Sequence, residues 1–252
     1  MPNRLAWLAL GCGAFLAFAL SLFPAATAYR WFAPDSFRLA GIEGTVWSGQ
    51  AALGSVPGLP MRNLRWNLNA LPLVLGRVSG RFEARLSDGF INGEASVSPT
   101  VVRLSNLQAA TSLPALAGLF PLEDTLGLAS LSLERLELQR GWARNIVGNL
   151  RINQLEVAPL FATEGTNLIS LGDYEVTFID SSGQGVSARL RDTGGPLEVS
   201  GRLELGLDRA YILEGLIRAR PDASDELVQG IEFMTGEPDA EGRREFSLTG
   251  SL

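Results

Sequence analysis

Residues 197–205 read Leu197-Glu198-Val199-Ser200-Gly201-Arg202-Leu203-Glu204-Leu205, with an apolar residue or glycine at every odd position and a polar one at every even position. A period of two places all the odd side chains on one face of an extended chain, which is the signature of a half-buried β-strand. The same period recurs at Phe82, Ala84 and Leu86, at Ile146 to Ile152, and at Tyr174, Val176 and Phe178. It returns at Val186, Ala188 and Leu190, at Tyr211 to Ile217, and at Phe246 to Leu252. Between the runs stand turn signals: Ser87-Asp88-Gly89, Ser181-Ser182-Gly183, Thr193-Gly194-Gly195 and Leu207-Asp208-Arg209. Short strands joined by tight turns predict an antiparallel meander. Between Leu131 and Leu138 the alternation slips by one residue across Glu134-Arg135, which predicts a β-bulge. Gly201, Gly215 and Gly250 fall inside alternating runs, where a missing side chain means that the strand bends or that something approaches closely. Repeated bending would curl the sheet into a trough, with an apolar inner face that is either an open groove or a packed core.

Two stretches of this region have helical spacing. Ser112 to Phe120 holds Leu113, Leu116 and Phe120, with Pro114 in a first turn and Pro121 as a stop. The second opens on Asp222 or Ser224 as N-cap, sets Asp225 and Glu226 at the positive end of the helix dipole, aligns Leu227, Val228 and Ile231, and stops at Gly236. Outside these the chain is mainly β, read as one domain or two sheet halves packed together.

Upstream the pattern changes. From Leu5 to Phe23 the only polar side chain is Ser21, and a helix of that length reaches roughly 28 Å, the thickness of a bilayer's hydrocarbon core. Leu5, Trp7, Leu10, Phe15, Phe18 and Phe23 are the bulky anchor residues expected there. Arg4 precedes the run and the next positive charge is Arg30, so residues 1–4 form a cytoplasmic tip, 5–29 a signal-anchor and 30–252 an exported domain. The small-x-small triplet Ala26-Thr27-Ala28 also fits signal peptidase, although the apolar run exceeds the 7–15 residues or so of an ordinary signal peptide. Either reading exports the same domain. Cys12 lies within the apolar run and reads as a small hydrophobe, which leaves the exported part without a disulfide.

Composition excludes much chemistry. Among 252 residues there is no histidine, and all 21 basic residues are arginine. Imidazole acid/base catalysis, His-ligated metal or haem, Schiff bases and P-loop lysines are therefore absent. A net charge of −6 argues against nucleic acid as a partner. Glu123-Asp124 and Asp225-Glu226 are the carboxylate pairs available to a hydrolase, but nothing in the sequence brings them together. Glu237 to Gly242 spaces three acids as a calcium loop begins, and then places Leu248 where the bidentate glutamate belongs. Asp239 is better read as a turn former. No catalytic, cofactor or metal residue is assigned. Trp47, framed by Gly44 and Gly49, and Trp66, alternating with Leu64 and Leu68, are candidate partner anchors or core caps.

The ordered set Gly41-Ile42-Glu43-Gly44-Thr45-Val46-Trp47-Ser48-Gly49-Gln50-Ala51, Leu64-Arg65-Trp66-Asn67-Leu68 and Leu71-Pro72-Leu73-Val74-Leu75-Gly76 stands directly behind the anchor. Leu171-Gly172-Asp173-Tyr174, Gly194-Gly195-Pro196-Leu197-Glu198-Val199-Ser200-Gly201 and Gly236 to Arg243 follow in order. This set resembles the type II secretion system protein N family, also called general secretion pathway protein N. The resemblance implies a bacterial inner-membrane protein with a periplasmic domain. It would be an accessory part of the machine that moves folded proteins across the outer membrane, with other secretion proteins as partners. Members are distantly similar to AsmA-like proteins, whose sheets curl into hydrophobic grooves, so acyl chains are a second partner class. The family brings no catalytic residues; Trp47, Trp66, Asp173 and Asp239 stand out only as motif positions.

Overall fold

A computed structural model describes residues 3–33, 37–56, 58–69, 76–119, 124–158 and 168–251. Helices α1 (Asn3–Ser21) and α2 (Ala25–Phe32) come first. Strands β1 (Arg38–Gly44), β2 (Ser48–Val56), β3 (Leu59–Asn69), β4 (Val78–Arg85), β5 (Phe90–Val97) and β6 (Val101–Ser112) follow. Next are β7 (Thr125–Gln139), β8 (Trp142–Val157), β9 (Ile169–Ile179), β10 (Val186–Gly194), β11 (Leu197–Leu205) and β12 (Ala210–Ala219), then α3 (Asp225–Met234) and β13 (Arg244–Ser251). The strands make one wide antiparallel sheet whose spatial order is the order of the sequence. Most connections are short, and across the longer ones too each new strand pairs with the one just laid down. β1 and β13 do not pair, so the sheet is open and uncurled.

Register sorts the two faces. Ala51 lies opposite Leu64, Trp66 opposite Phe82, Ala84 opposite Ile91, Leu107 opposite Leu133, and Leu150 opposite Val176, which carries one apolar face across the sheet. On the reverse face Arg65 meets Glu83, Arg81 meets Glu94 and Arg103 meets Glu137, while Glu175 sits between Arg151 and Arg191. The first three of these pairs are solvent-exposed and worth only about 0–1 kcal/mol each, whereas the Glu175 carboxylate is buried between its two arginines. A one-residue slip would turn every apolar side chain outward, so burial sets the register and the ion ladder follows it.

The bulge expected at Glu134-Arg135 is present: the pairing of β7 with β8 shifts between Leu133 and Arg135. Further shifts had no signal in the alternation, and three of them share a backbone feature. These three fall at Asn63, Asn106 and Gln154, whose φ values are 51°, 51° and 53°. Asparagine tolerates this left-handed backbone better than most residues, and glutamine does not share that ease.

The in-strand glycines differ from the expected bend points. Gly201 and Gly215 face each other in an unbroken β11–β12 register, and a Cβ on Gly215 would stand 2.9 Å from the ring carbon of Phe246. A Cβ on Gly250 would meet the Tyr211 ring, and one on Gly49 would stand 2.5 Å from Trp66. These glycines admit aromatic rings from the neighbouring strand, so they fill the apolar face instead of curling it.

Two core clusters divide the sheet. Ala51, Met61, Leu64, Ala84 and Leu86 form one near the N-terminal end, and Tyr174, Leu197 and Val199 form the other beneath Leu227 and Ile231 of α3. α3 begins as its sequence predicts, with the Leu227 N–H donating to Ser224 Oγ at 3.3 Å. The helix expected over residues 112–120 is a single 3₁₀ turn, Pro114–Leu116, because β6 already claims Ser112; Phe120 and Pro121 lie outside the described residues. Glu123 and Leu252 lie outside them as well, as does most of the Leu71–Gly76 motif.

At the N-terminus, Pro24 interrupts the helix, and the boundary expected at residue 29 falls inside α2. Trp7, Leu10, Phe15 and Phe18 are exposed on α1, and Phe23 stacks on Trp31 with ring centroids 5.8 Å apart. The side chain of Leu5 lies outside the described residues. Among the described residues no helix is long and apolar enough to cross a membrane.

Candidate functional site

The motif at 41–51 folds into the turn between β1 and β2. Gly44, at φ 89°, bends the chain where any side chain would strike Ser48 and Gly49. Thr45 N–H then donates to the Ser48 carbonyl at 2.9 Å, and the Ser48 N–H donates back to Thr45 Oγ1. With the turn closed on itself, its outer groups reach the helices. Val46 N–H donates to the Phe23 carbonyl at 3.0 Å, Thr45 bridges Pro24, and Trp47 Nε1 donates to the Leu20 carbonyl at 2.7 Å. Helix ends leave carbonyls without partners, and Trp47 supplies one at the end of α1. Trp66 completes the joint from the next strand, its Nε1 donating to the Val46 carbonyl at 3.0 Å while its ring lies over Gly49. Trp47 and Trp66 thus come together as parts of one fastening between helices and sheet.

Tyr29 of α2 makes a second fastening that the sequence reading missed. Its hydroxyl donates to the Phe37 carbonyl and accepts from the Leu39 N–H, both at 2.9 Å, and so seats α2 against β1. A lone tyrosine near an apolar run carries no spacing signal for this role.

Asp173 lies far from these tryptophans in the sheet. Its Oδ1 accepts from the Gln154 N–H at 2.7 Å, which satisfies the backbone at the β8 bulge. Gly172, at φ 92°, lies against Gly194 and Gly195, so the Leu171–Tyr174 and Gly194–Gly201 motifs touch. Beside them Asp192 accepts from the Val199 N–H at 2.8 Å and pairs with Arg220, which also donates to the Gly195 and Leu197 carbonyls. The Asp192 carboxylate raises the Arg220 pKa further. Burial pushes the Tyr174 hydroxyl up to about 12, and the charge of Asp192 adds to it. That hydroxyl donates to Leu171 and stays protonated at neutral pH.

Asp239 closes the turn after α3. Its carboxylate accepts from the backbone N–H of Arg243 and of Glu241 and pairs with the Arg243 guanidinium; the Arg243 N–H foremost, then the guanidinium, holds its pKa below the usual range. Among the described residues no group of three or more potential ligands gathers to hold a metal. Asp225 and Glu226 occupy the first turn of α3, where the dipole accounts for them.

A hollow of about 680 Å³ lies between α3 and the apolar face, bounded by Tyr174, Val199, Ile217, Leu227, Ile231 and Phe246. A short amphipathic helix over a broad sheet touches only part of it, and the unfilled remainder is this space. The sequence indicated an apolar face but not how much of it α3 would cover.

The model of the family described as Type II secretion system (T2SS), protein N matches residues 36–247, from just before β1 to within β13. The chain belongs to that family. Every motif described above, from the β1–β2 turn to the Asp239 turn, falls within the matched segment. Two protein N relatives agree over most of their lengths. The type II secretion system protein N of Aeromonas hydrophila is 29% identical, covering 96% of each chain. That of Vibrio cholerae serotype O1 is 27% identical, covering 87% of this chain and 86% of the relative. No solved structure matches the chain. Membership in the protein N family makes this chain a type II secretion component, associated with the cell envelope and with other secretion proteins.

Proposed function

We propose that the chain is a non-catalytic accessory component of the bacterial type II secretion system. Residues 5–29 anchor it in the inner membrane with the N-terminus cytoplasmic, and residues 30–252 stand in the periplasm and bind other secretion components. The anchor rests on the sequence of residues 5–23, and Trp7, Phe15 and Phe18 are its exposed lipid-facing groups. The observation that carries the binding role is the open edge at β13. Among the described residues β13 pairs only with β12, and its residues 247–251 are exposed on both faces. An unpaired strand edge is a template for strand addition by a partner. Photo-crosslinkers placed at Ser247 and Thr249 are expected to capture another component of the secretion apparatus in cells, and deletion of the chain is expected to reduce export. Unchanged secretion of every substrate together with no captured component would refute the role.

The hollow under α3 favours a second reading, in which the domain holds an acyl chain. Its apolar walls and volume fall within the range of ligand pockets. Native mass spectrometry of the purified chain would show bound lipid; a chain that is always empty sinks this reading.

A further inference from the structure

We propose that α2 is an interfacial helix, whose aromatic residues Trp31 and Phe32, with Phe23 just before the helix, sit in the headgroup layer and fix the tilt of the β-sheet against the bilayer. The inference rests on the reading of α1 as a membrane anchor and adds to it a second contact with the lipid surface.

Three observations carry it. First, α2 has two unlike sides. Ala25 is buried and Tyr29 is bonded to the β1 backbone, while Trp31 and Phe32 are 67% and 77% exposed. Phe23, Trp31 and Phe32 nevertheless pack on one another, with centroids 5.8 Å and 6.3 Å apart, so they present one joined aromatic surface instead of scattered side chains. Second, this surface continues the apolar surface of α1: Phe18, Leu20 and Leu22 are also more than half exposed. α1 ends at Ser21, and its stretch from Leu5 to Ser21 reaches about 26 Å, close to the thickness of the hydrocarbon core, which puts Phe23 and α2 at the water boundary. Aromatic side chains favour that layer, and Arg30 is exposed beside them with a charge suited to lipid phosphates. Third, the junction is held in place. Val46 N–H to Phe23, Trp47 Nε1 to Leu20, and the two bonds of Tyr29 tie α1, α2, β1 and β2 together. A flexible linker would let the sheet swing freely, whereas here a contact made by α2 is transmitted to the sheet.

The test uses the full chain with Cys12→Ser, reconstituted in vesicles of phosphatidylethanolamine and phosphatidylglycerol. A single nitroxide is attached in turn at Phe15→Cys, Phe32→Cys and Leu128→Cys, the last an exposed site on β7. Collision with oxygen, which concentrates in lipid, is compared with collision with a water-soluble nickel chelate. The expected result is a deep label at position 15, a label at 32 several-fold more shielded from nickel than that at 128, and a fully aqueous label at 128. A deep label at 15 with position 32 as aqueous as 128 overturns the interfacial helix and leaves the anchor standing. An aqueous label at 15 overturns the anchor, and the interfacial helix with it.

Discussion

The apolar face is covered by different physics towards the two ends of the sheet. At the β1 end, directional bonds join helix to turn: two tryptophan indoles, a tyrosine hydroxyl and two backbone amides each have a named acceptor, and the cluster around Ala51 and Leu64 is packed beneath them. At the other end, α3 rests on the face chiefly through Leu227 and Ile231, with Arg244 paired to Glu232 at its margin, and a hollow remains. Hydrogen bonds fix an angle; apolar contact fixes only proximity. The first end is therefore suited to holding an orientation, and the second to opening or to admitting a guest.

The most severe way to break the C-terminal half is Gly172→Val. The new side chain would meet the Gly194 carbonyl from a backbone at φ 92°, and a loss on the order of 5 kcal/mol, strain and overpacking together, is expected in urea unfolding. Next comes a matched pair that tests the contrast itself. Leu64→Ala, in the filled cluster, is expected to cost about 4 kcal/mol, and Leu227→Ala, beside an existing hollow, about 2 kcal/mol. Equal costs would mean that α3 is packed as tightly as the other end.

Acid separates the halves by a smaller margin. The Arg191 and Arg151 guanidinium groups hold the Glu175 carboxyl below its ordinary value of 4.5. Asp180, through the Ser182 N–H and Asn145, and Asp239, through the Arg243 N–H, lie below 3.8. A depressed folded pKa contributes stability that is complete above the ordinary value and is lost as pH falls through the folded one. Unfolding midpoints should hold from pH 7 down to about 5 and then fall. Glu175→Gln should flatten that fall, and hydrogen exchange should show protection lost first in β8 to β13. Asp88, held low by Ser112 and Thr111, is the corresponding group nearer the N-terminus. The smallest effect is expected from Trp47→Phe, which removes one hydrogen bond worth about 1 kcal/mol. Global stability should barely change while trypsin cuts faster at Arg30.

The strand runs were legible because period-two alternation reports one buried face directly. Leu197 to Leu205 occupies β11 residue for residue, and the slip at Glu134-Arg135 is a bulge. The cap and acidic first turn of α3 were legible for a similarly local reason. The other bulges were hidden, since a left-handed Gln154 is chosen by its long-range partner, the Asp173 carboxylate, and not by its neighbours in sequence. The purpose of the glycines was half visible. A gap in an alternating run says that something is missing, and only the cross-strand partner says that Phe246, Tyr211 or Trp66 fills it. Trp47 was singled out by its flanking glycines, yet its acceptor at Leu20 lies 27 residues away and has no side-chain signature at all. The helix break was carried by Pro24, but α2 merged with the run before it because alanine and aromatic residues prolong an apolar stretch as readily as they end one.

The strand order has a consequence for how the chain comes to exist. In a sheet laid down in sequence order, each segment finds its neighbour already present as synthesis proceeds, so no strand must wait for a distant one or be threaded between two others. At every stage a single growing edge is exposed, and the next strand to emerge covers it. Among the described residues β13 is the last strand in this order, and its outer edge is unpaired.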